Sequence, residues 1–197
     1  TKATDEELRE ALVDEWGVKY SKDGRRLLKA PYELNGTYSI RKGIKIICDE
    51  AFADCKFIGC RSLTSLVIPD SVTNIGDYAF WNCRSLTDIV IPDGVTSIGK
   101  CAFEGCSALS SVVIPDSVSC IGFGAFENCS SLHSVVIPDS VTSIGESAFY
   151  DCESLSSLVI PDSVASIGDN AFSGCSSLSS VVIPESVVNL NGNPFCR

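Results

Sequence analysis

The residues of this 197-residue chain that could do chemistry are its cysteines, carboxylates, hydroxyls and single histidine, and their spacing decides what is open to them. Eleven cysteines suggest a disulfide or metal framework at first sight. Six of them, Cys60, Cys83, Cys106, Cys129, Cys152 and Cys175, recur at an interval of 23. In a parallel stack such side chains lie one above another, about 4.8 Å apart, and point the same way into the interior. A thiol there acts as a small apolar filler, which predicts a reduced, buried column. No Cys-x-x-Cys pair occurs, and the pairs Cys55/Cys60 and Cys101/Cys106 have no second ligand pair, so no zinc site, other metal or cofactor is expected. A reactive thiol is expected only outside the column, among Cys48, Cys55, Cys101, Cys120 and Cys196. Asp70, Asp93, Asp116, Asp139, Asp162 and Glu185 form an acidic column, each directly after a proline, which is ordinary turn chemistry. At ~5 Å, neighbouring carboxylates repel by only about 0.8 kcal/mol in water, so they require no cation. His133 has no distinctive serine or cysteine partner, because the serines are themselves repeat positions. A catalytic triad is not indicated, and the chain is expected not to be an enzyme.

What positions these residues is a repeat. Pro69, Pro92, Pro115, Pro138, Pro161 and Pro184 share the interval of 23, as do Phe80, Phe103, Phe126, Phe149 and Phe172. A fixed period of this length marks a solenoid, a propeller or an array. Within one unit, Leu86, Ile89, Ile91, Val95, Ile98, Ala102, Phe103 and Cys106 mark the inward positions. Leu86 to Ile91 alternates as a strand does, and Pro92 ends it because proline cannot donate to a ladder. Val95 to Ile98 is extended again, Gly99 permits a turn, and Ala102-Phe103 begins a short bend. Tyr38 to Phe52 reads as a worn first unit with Arg41 in place of the proline. Five extra residues between Ala53 and Cys60 predict a bulge that includes Phe57 and Ile58. Upstream, Thr4 and Glu7 form a capping box that predicts a helix over about 5–16, stopped at Gly17. Asp23-Gly24 between β-prone runs predicts a hairpin, followed by a loop over 31–36. The expected organisation is an N-terminal cap over 1–37 and a repeat array over 38–197, with a degenerate first repeat, about six units and a truncated last one.

The motif Leu-x-x-Leu-x-Leu-Pro-x-x-Leu-x-x-Ile-Gly-x-x-Ala-Phe-x-x-Cys is matched from Leu86 to Cys106. It recurs from Leu63, Leu109, Leu132 and Leu155, and in degraded form from Leu178. It resembles the BspA-like subtype of the leucine-rich repeat family. The resemblance implies a mainly β repeat solenoid, a right-handed horseshoe with a parallel β-sheet on its concave face. It also implies a non-catalytic protein-binding or adhesion module of an extracellular or cell-surface protein, one that binds host proteins or other cells. The asparagine ladder of standard leucine-rich repeats is absent; Ser71, Gly94, Ser117, Ser140 and Ser163 stand nearest to its place.

In a horseshoe, the outward strand residues line the concave sheet. Candidate ligand-binding residues are therefore Thr87, Asp88, Val90, Ser111, Val113, His133, Ser134, Val136, Ser157 and Val159. Val67, Val90, Val113, Val136, Val159 and Val182 would form an apolar stripe about 24 Å long at the strand spacing. A protein ligand is the expected partner. Residues 62–197 hold only Arg84, Lys100 and Arg197 against 14 acids, a charge that cannot neutralise phosphates, so no nucleic-acid partner is expected. No apolar run reaches the length of a membrane span. Alternatives are a structural scaffold that self-associates through its C-terminal end or concave face, and a carbohydrate adhesin using Tyr78, Trp81 and Tyr150. The chain starts at Thr1 and holds no methionine, so it is expected to be a piece whose own start, with any targeting signal, lies outside it.

Overall fold

The computed structural model describes residues 1–53 and 59–195. Cys55, Phe57, Ile58 and Cys196 lie outside the described residues. The chain opens with a five-residue helix, α1 (Asp5–Arg9), whose N-cap Thr4 accepts from Glu7 N while the Glu7 carboxylate accepts from Thr4 N. The expected helix over 5–16 is thus too long. Leu12–Val13 is instead strand β1, exposed and paired antiparallel with β2 (Lys19–Tyr20). The Asp14 carboxylate explains the change, since it accepts from both Trp16 N and Val18 N and closes a turn that a continuing helix would forbid. The hairpin at Asp23-Gly24 is present: β2 pairs antiparallel with β3 (Arg26–Lys29), and Gly24 supplies the positive φ of 67°.

The solenoid follows as two parallel ladders. One runs through β3, β5 (Ile46–Ile47), β7 (Asn74–Ile75) and β9 (Ser97–Ile98), and resumes in β11 (Cys120–Ile121), β13 (Ser143–Ile144), β14 (Ser166–Ile167) and β15 (Asn189–Leu190). The other runs through β4 (Asn35–Ser39), β6 (Ser62–Val67) and β8 (Asp88–Ile89), and resumes in β10 (Ser111–Val113) and β12 (Ser134–Val136). The expected loop is a turn over 31–34; strand β4 takes its last two residues and crosses the 37/38 boundary, and β3 already pairs with β5, so cap and array share one sheet system. Tyr38 anchors the two: its hydroxyl donates to Asp14 Oδ2 at 2.6 Å and meets the Tyr20 hydroxyl, while the Arg41 guanidinium lies 4.5 Å from the Tyr20 ring centroid. Ala53 and Gly59 are bridged antiparallel to one another.

Between the ladders lies one continuous core of the predicted columns, including Leu86, Ile89, Val95, Ile98, Ala102, Phe103 and Cys106 in one coil. Its spine is a stack of seven rings from Phe52 to Phe195, with centroids 5.0–5.6 Å apart. The serines at the asparagine-ladder position build a hydroxyl ladder. Ser71, Ser117, Ser140, Ser163 and Ser186 donate to carbonyls of the preceding coil, and Gly94 leaves one rung empty. The last coil is closed: Asn191 N bonds Ile167 O at 3.1 Å, and Pro194 O, in the alanine column, accepts from Phe172 N at 2.7 Å.

One interval breaks the regularity. β8 and β10 are not paired in register, nor are β9 and β11, although each pair is adjacent. Gly99, Gly145 and Gly168 donate to Ile75, Ile121 and Ile144, but among the described residues Gly122 has no such bond to Ile98. The coils of Phe103 and Phe126 are therefore joined mainly along the phenylalanine corner, where Cys101 N, Phe103 N and Gly105 N donate to Phe123, Ala125 and Glu127 carbonyls at 2.8–2.9 Å.

Candidate functional site

The β4 ladder places alternate side chains on opposite faces. Ile89, Val112 and Val135 are buried, whereas Val90, Val113, Val136, Val159 and Val182 are 77, 63, 57, 79 and 81% exposed. Val67 joins them at 52%, which makes a continuous apolar stripe. The register Val113↔Val136 and Ser111↔Ser134 aligns equivalent residues directly, and the bridge Ser134↔Ser157 carries the alignment one coil further. Thr87, Asp88, His133 and Ser157 are also exposed, and Ser134 is half-buried. Thr87 is held by its own chemistry, donating both to Thr64 O and to Asp88 Oδ2. Asp88, Val90, Ser111 and Val113 line one groove of about 300 Å³, opened where β8 and β10 fail to pair. The remaining candidates follow along the ladder rather than converging on a pocket.

The histidine and serine chemistry stays dispersed. Ser156 Oγ donates to the backbone oxygen of His133, not to its imidazole, and His133 N bonds Ser110 O. Two larger clefts lie beyond this groove, the first beside the end of the stripe, where Ser39 pairs with Val67. One of about 630 Å³ is lined by Val13–Trp16, Thr37–Ser39 and Arg41; the other, of about 520 Å³, includes Tyr150, Phe172, Leu178 and Phe195. Tyr78 and Trp81 are half-buried and packed edge to face at 6.4 Å, and Tyr150 is half-buried, so none of these aromatics offers the open platform expected of a sugar site.

The columnar cysteines are free thiols, all within the core. Cys106, Cys129, Cys152 and Cys175 each donate to a phenylalanine carbonyl in the preceding coil at 3.2 Å. Burial pushes the Cys106 thiol up to about 12 and the Cys175 thiol up to about 11. Near neutral pH they hold their protons and have little nucleophilic thiolate. Cys120, by contrast, is exposed on β11. Native alkylation with iodoacetamide near pH ~8 is expected to modify Cys120 and spare the column, as read by peptide mass spectrometry. Modification of Cys106 or Cys129 at a comparable rate would show that the column opens.

Sequence reasoning missed a second cluster. Cys101, 2% exposed, faces Glu104 and Glu127, and one donor atom from each lies within 4.8 Å of the others. The signal was present but hidden by linear spacing, because Glu127 is the 23-residue repeat of Glu104. Folding the sequence onto its own period brings the three together.

Comparison with known proteins agrees with the coil geometry. The BspA type leucine rich repeat region matches in six copies, over residues 34–112, 56–157 and 98–197. No curated protein matches. Among solved structures, a leucine-rich repeat protein from Eubacterium ventriosum is 28% identical with a TM-score of 0.81 over 95% of this chain, which spans about half (51%) of that protein. A Treponema leucine-rich repeat protein (T. pallidum) is 29% identical with a TM-score of 0.77, over 97% of this chain and 86% of that one. A leucine-rich cell surface protein from Faecalibacterium prausnitzii is 32% identical with a TM-score of 0.61, over 87% of this chain and 54% of that one. With ladders, phenylalanine spine and cysteine column all in the phase of the matched repeats, the chain belongs to the BspA-type leucine-rich repeat family.

Proposed function

We propose that the chain is a non-catalytic binding module that presents the β4 ladder to a protein ligand, as part of an extracellular or cell-surface protein. The observation that carries this reading is the stripe of six valines, 52–81% exposed, along the β4 ladder and the coils that continue it. An apolar strip rimmed by small hydroxyls and Asp88 has the character of a protein-binding surface. Because the strip is pre-formed, little ordering entropy is lost on association. The Faecalibacterium relative is described as a cell surface protein, which supports the location.

Changing Val90, Val113 and Val136 together to lysine is the test. All three side chains are exposed, so the core is untouched and the circular dichroism spectrum and melting midpoint are expected to stay near the parent's. Capture of the surface-protein ligand, identified first by pull-down with the intact chain, is expected to fall at least about 100-fold, since charges against an apolar contact cost several kcal/mol. Unchanged capture would reject the ladder as the binding face.

Self-association is a second reading, favoured by one observation. Val182, Val188 and Leu190 are exposed together on the last coil, and β15 pairs with β14 on one side only. A dimer in light scattering that disperses in Val182→Asp would support it.

A further inference from the structure

We infer that Cys101, Glu104 and Glu127 form a binding site for a borderline-soft divalent cation of the zinc class, and that the cation clips together the two coils whose strand ladders do not pair. The donor set is one thiol sulfur and two carboxylate oxygens, mutually within 4.8 Å. Around zinc, sulfur at about 2.3 Å and oxygen at about 2.1 Å stand about 3.6 Å apart in a tetrahedron, so side-chain rotation alone closes the site and leaves a fourth position for water. A thiolate among the donors favours zinc over calcium or magnesium, which take oxygen.

Three independent features single out this place. First, the thiol differs from the columnar ones. It is covered but lies nearer the surface, and among the described residues it donates to no backbone carbonyl; it faces the Glu104 carboxylate and the Tyr78 hydroxyl instead. Second, its neighbour in the next coil is Gly124, where the same column elsewhere carries Tyr78, Ser147 and Asn170. A Cβ at Gly124 would stand 2.7 Å from Cys101 Sγ and 3.1 Å from Glu127 Oε2, so any larger residue would push the thiol and carboxylate from their present positions. Third, the cluster lies on the corner that carries most of the backbone bonds between these coils, with Cys101 N bonded to Phe123 O and Gly105 N to Glu127 O. A cation there would join ligands from both sides of the interval where β8/β10 and β9/β11 are unpaired.

The electrostatics suit a cation. Burial pushes the Glu127 carboxyl up, and repulsion from Glu104 and Asp151 adds to it. Lys100, the nearby ammonium, rests over the Phe123 ring at 4.6 Å and the Tyr78 ring at 6.0 Å. The Cys101 thiol is pushed up to about 12 by burial and by Glu104, so the cation must displace its proton. One S–H bond breaks, one S–metal bond forms and one proton leaves to solvent, with no change of oxidation state. Affinity is therefore expected to rise with pH, by about tenfold per unit while the thiol is protonated.

The experiment uses the reduced full chain carrying Cys120→Ser, which removes the thiol that is exposed among the described residues and installs the serine found at Ser97, Ser143 and Ser166 of the same column. Cobalt(II) is expected to bind with one equivalent, produce a thiolate-to-cobalt charge-transfer band in the near ultraviolet, yield to zinc, and raise the melting midpoint. Adding Cys101→Ser is expected to abolish the band while the circular dichroism is kept, because Ser147 holds the same column at φ 53°. Glu104→Gln and Glu127→Gln are each expected to weaken cobalt binding by at least about 10–100-fold, the range already seen for outer-shell partners. A band that survives Cys101→Ser, the absence of any band, or calcium competing as well as zinc would each overturn the site.

Discussion

Replacing Phe126 by alanine is expected to destabilise the protein by about 3–5 kcal/mol, the cost of emptying a fully buried aromatic site. Phe126 is 0% exposed and lies between Phe103 and Phe149, at 5.3 and 5.5 Å between centroids and within 7° of parallel. The loss is the transfer of the ring, the cavity left behind, and two ring–ring contacts each worth about 0.5–1.5 kcal/mol beyond area burial. The site cannot collapse to fill the hole, because Phe126 N is bonded to Ala148 O at 2.9 Å and the coils above and below are fixed by equivalent bonds. Against a total of about 5–15 kcal/mol for an ordinary domain, this is a large share. It also falls in mid-array, where each coil is stabilised only by its neighbours, so the two halves should uncouple and the slope of a urea transition should fall with its midpoint. Phe195→Ala is the internal control: that ring is half-buried and stacks on Phe172 alone, and its loss should cost only about 1–2 kcal/mol. Equal losses for the two variants, measured by urea unfolding followed by circular dichroism, would show that the spine is not the source of cooperativity.

The columns were legible because a period of 23 fixes which residues share an environment, and burial then follows from residue type. Phe103, Cys106 and Ile98 could be placed inside, and Val90 outside, without any knowledge of the coil's path. The helix boundary was not legible, since Leu8, Ala11 and Leu12 fit helical spacing while the decisive group is the Asp14 side chain, which bonds backbone nitrogens beyond them. The glycine column was placed correctly for a reason the structure replaces. Gly99 does not adopt a positive φ; that conformation belongs to the second residue on, Cys101 at 51°, and to Asn82 and Gly105 at 55° and 73°. Gly99 is glycine because coils approach too closely there for a Cβ. Of the candidate site, the exposure of the valine stripe was legible from strand alternation, whereas the groove between Val90 and Val113 was not. It depends on the unpaired interval, and the intact columns at Ile98 and Ile121 give no sign of it.

Gly99→Ala and Gly122→Ala, the same change in the same column, are expected to differ sharply. At Gly99 a Cβ would lie 2.4 Å from Gly76 C and 2.5 Å from Asp77 N, both backbone atoms that no rotamer can move aside. The coils must separate, and the bond from Gly99 N to Ile75 O at 2.9 Å is strained with them. Overpacking of this kind costs about 1–3 kcal/mol and can exceed that when backbone must shift. At Gly122 the nearest atom to a new Cβ would be Ile98 O at 3.4 Å, an ordinary contact, and the residue has no positive φ. Alanine there removes backbone freedom from the unfolded chain, so stability is expected to hold or to rise by about 0.4–1 kcal/mol. Midpoints of urea unfolding for the two variants measure the difference, and amide exchange gives a second reading, because the Gly122 amide should exchange faster than those of Gly99 and Gly145. If Gly122→Ala proves as damaging as Gly99→Ala, the coils close on one another at Gly122 as they do elsewhere. The groove beside Val90 would then lose its physical basis, whereas the Cys101 cluster, built on the bonded corner, would keep its geometry and lose only its role as a clip.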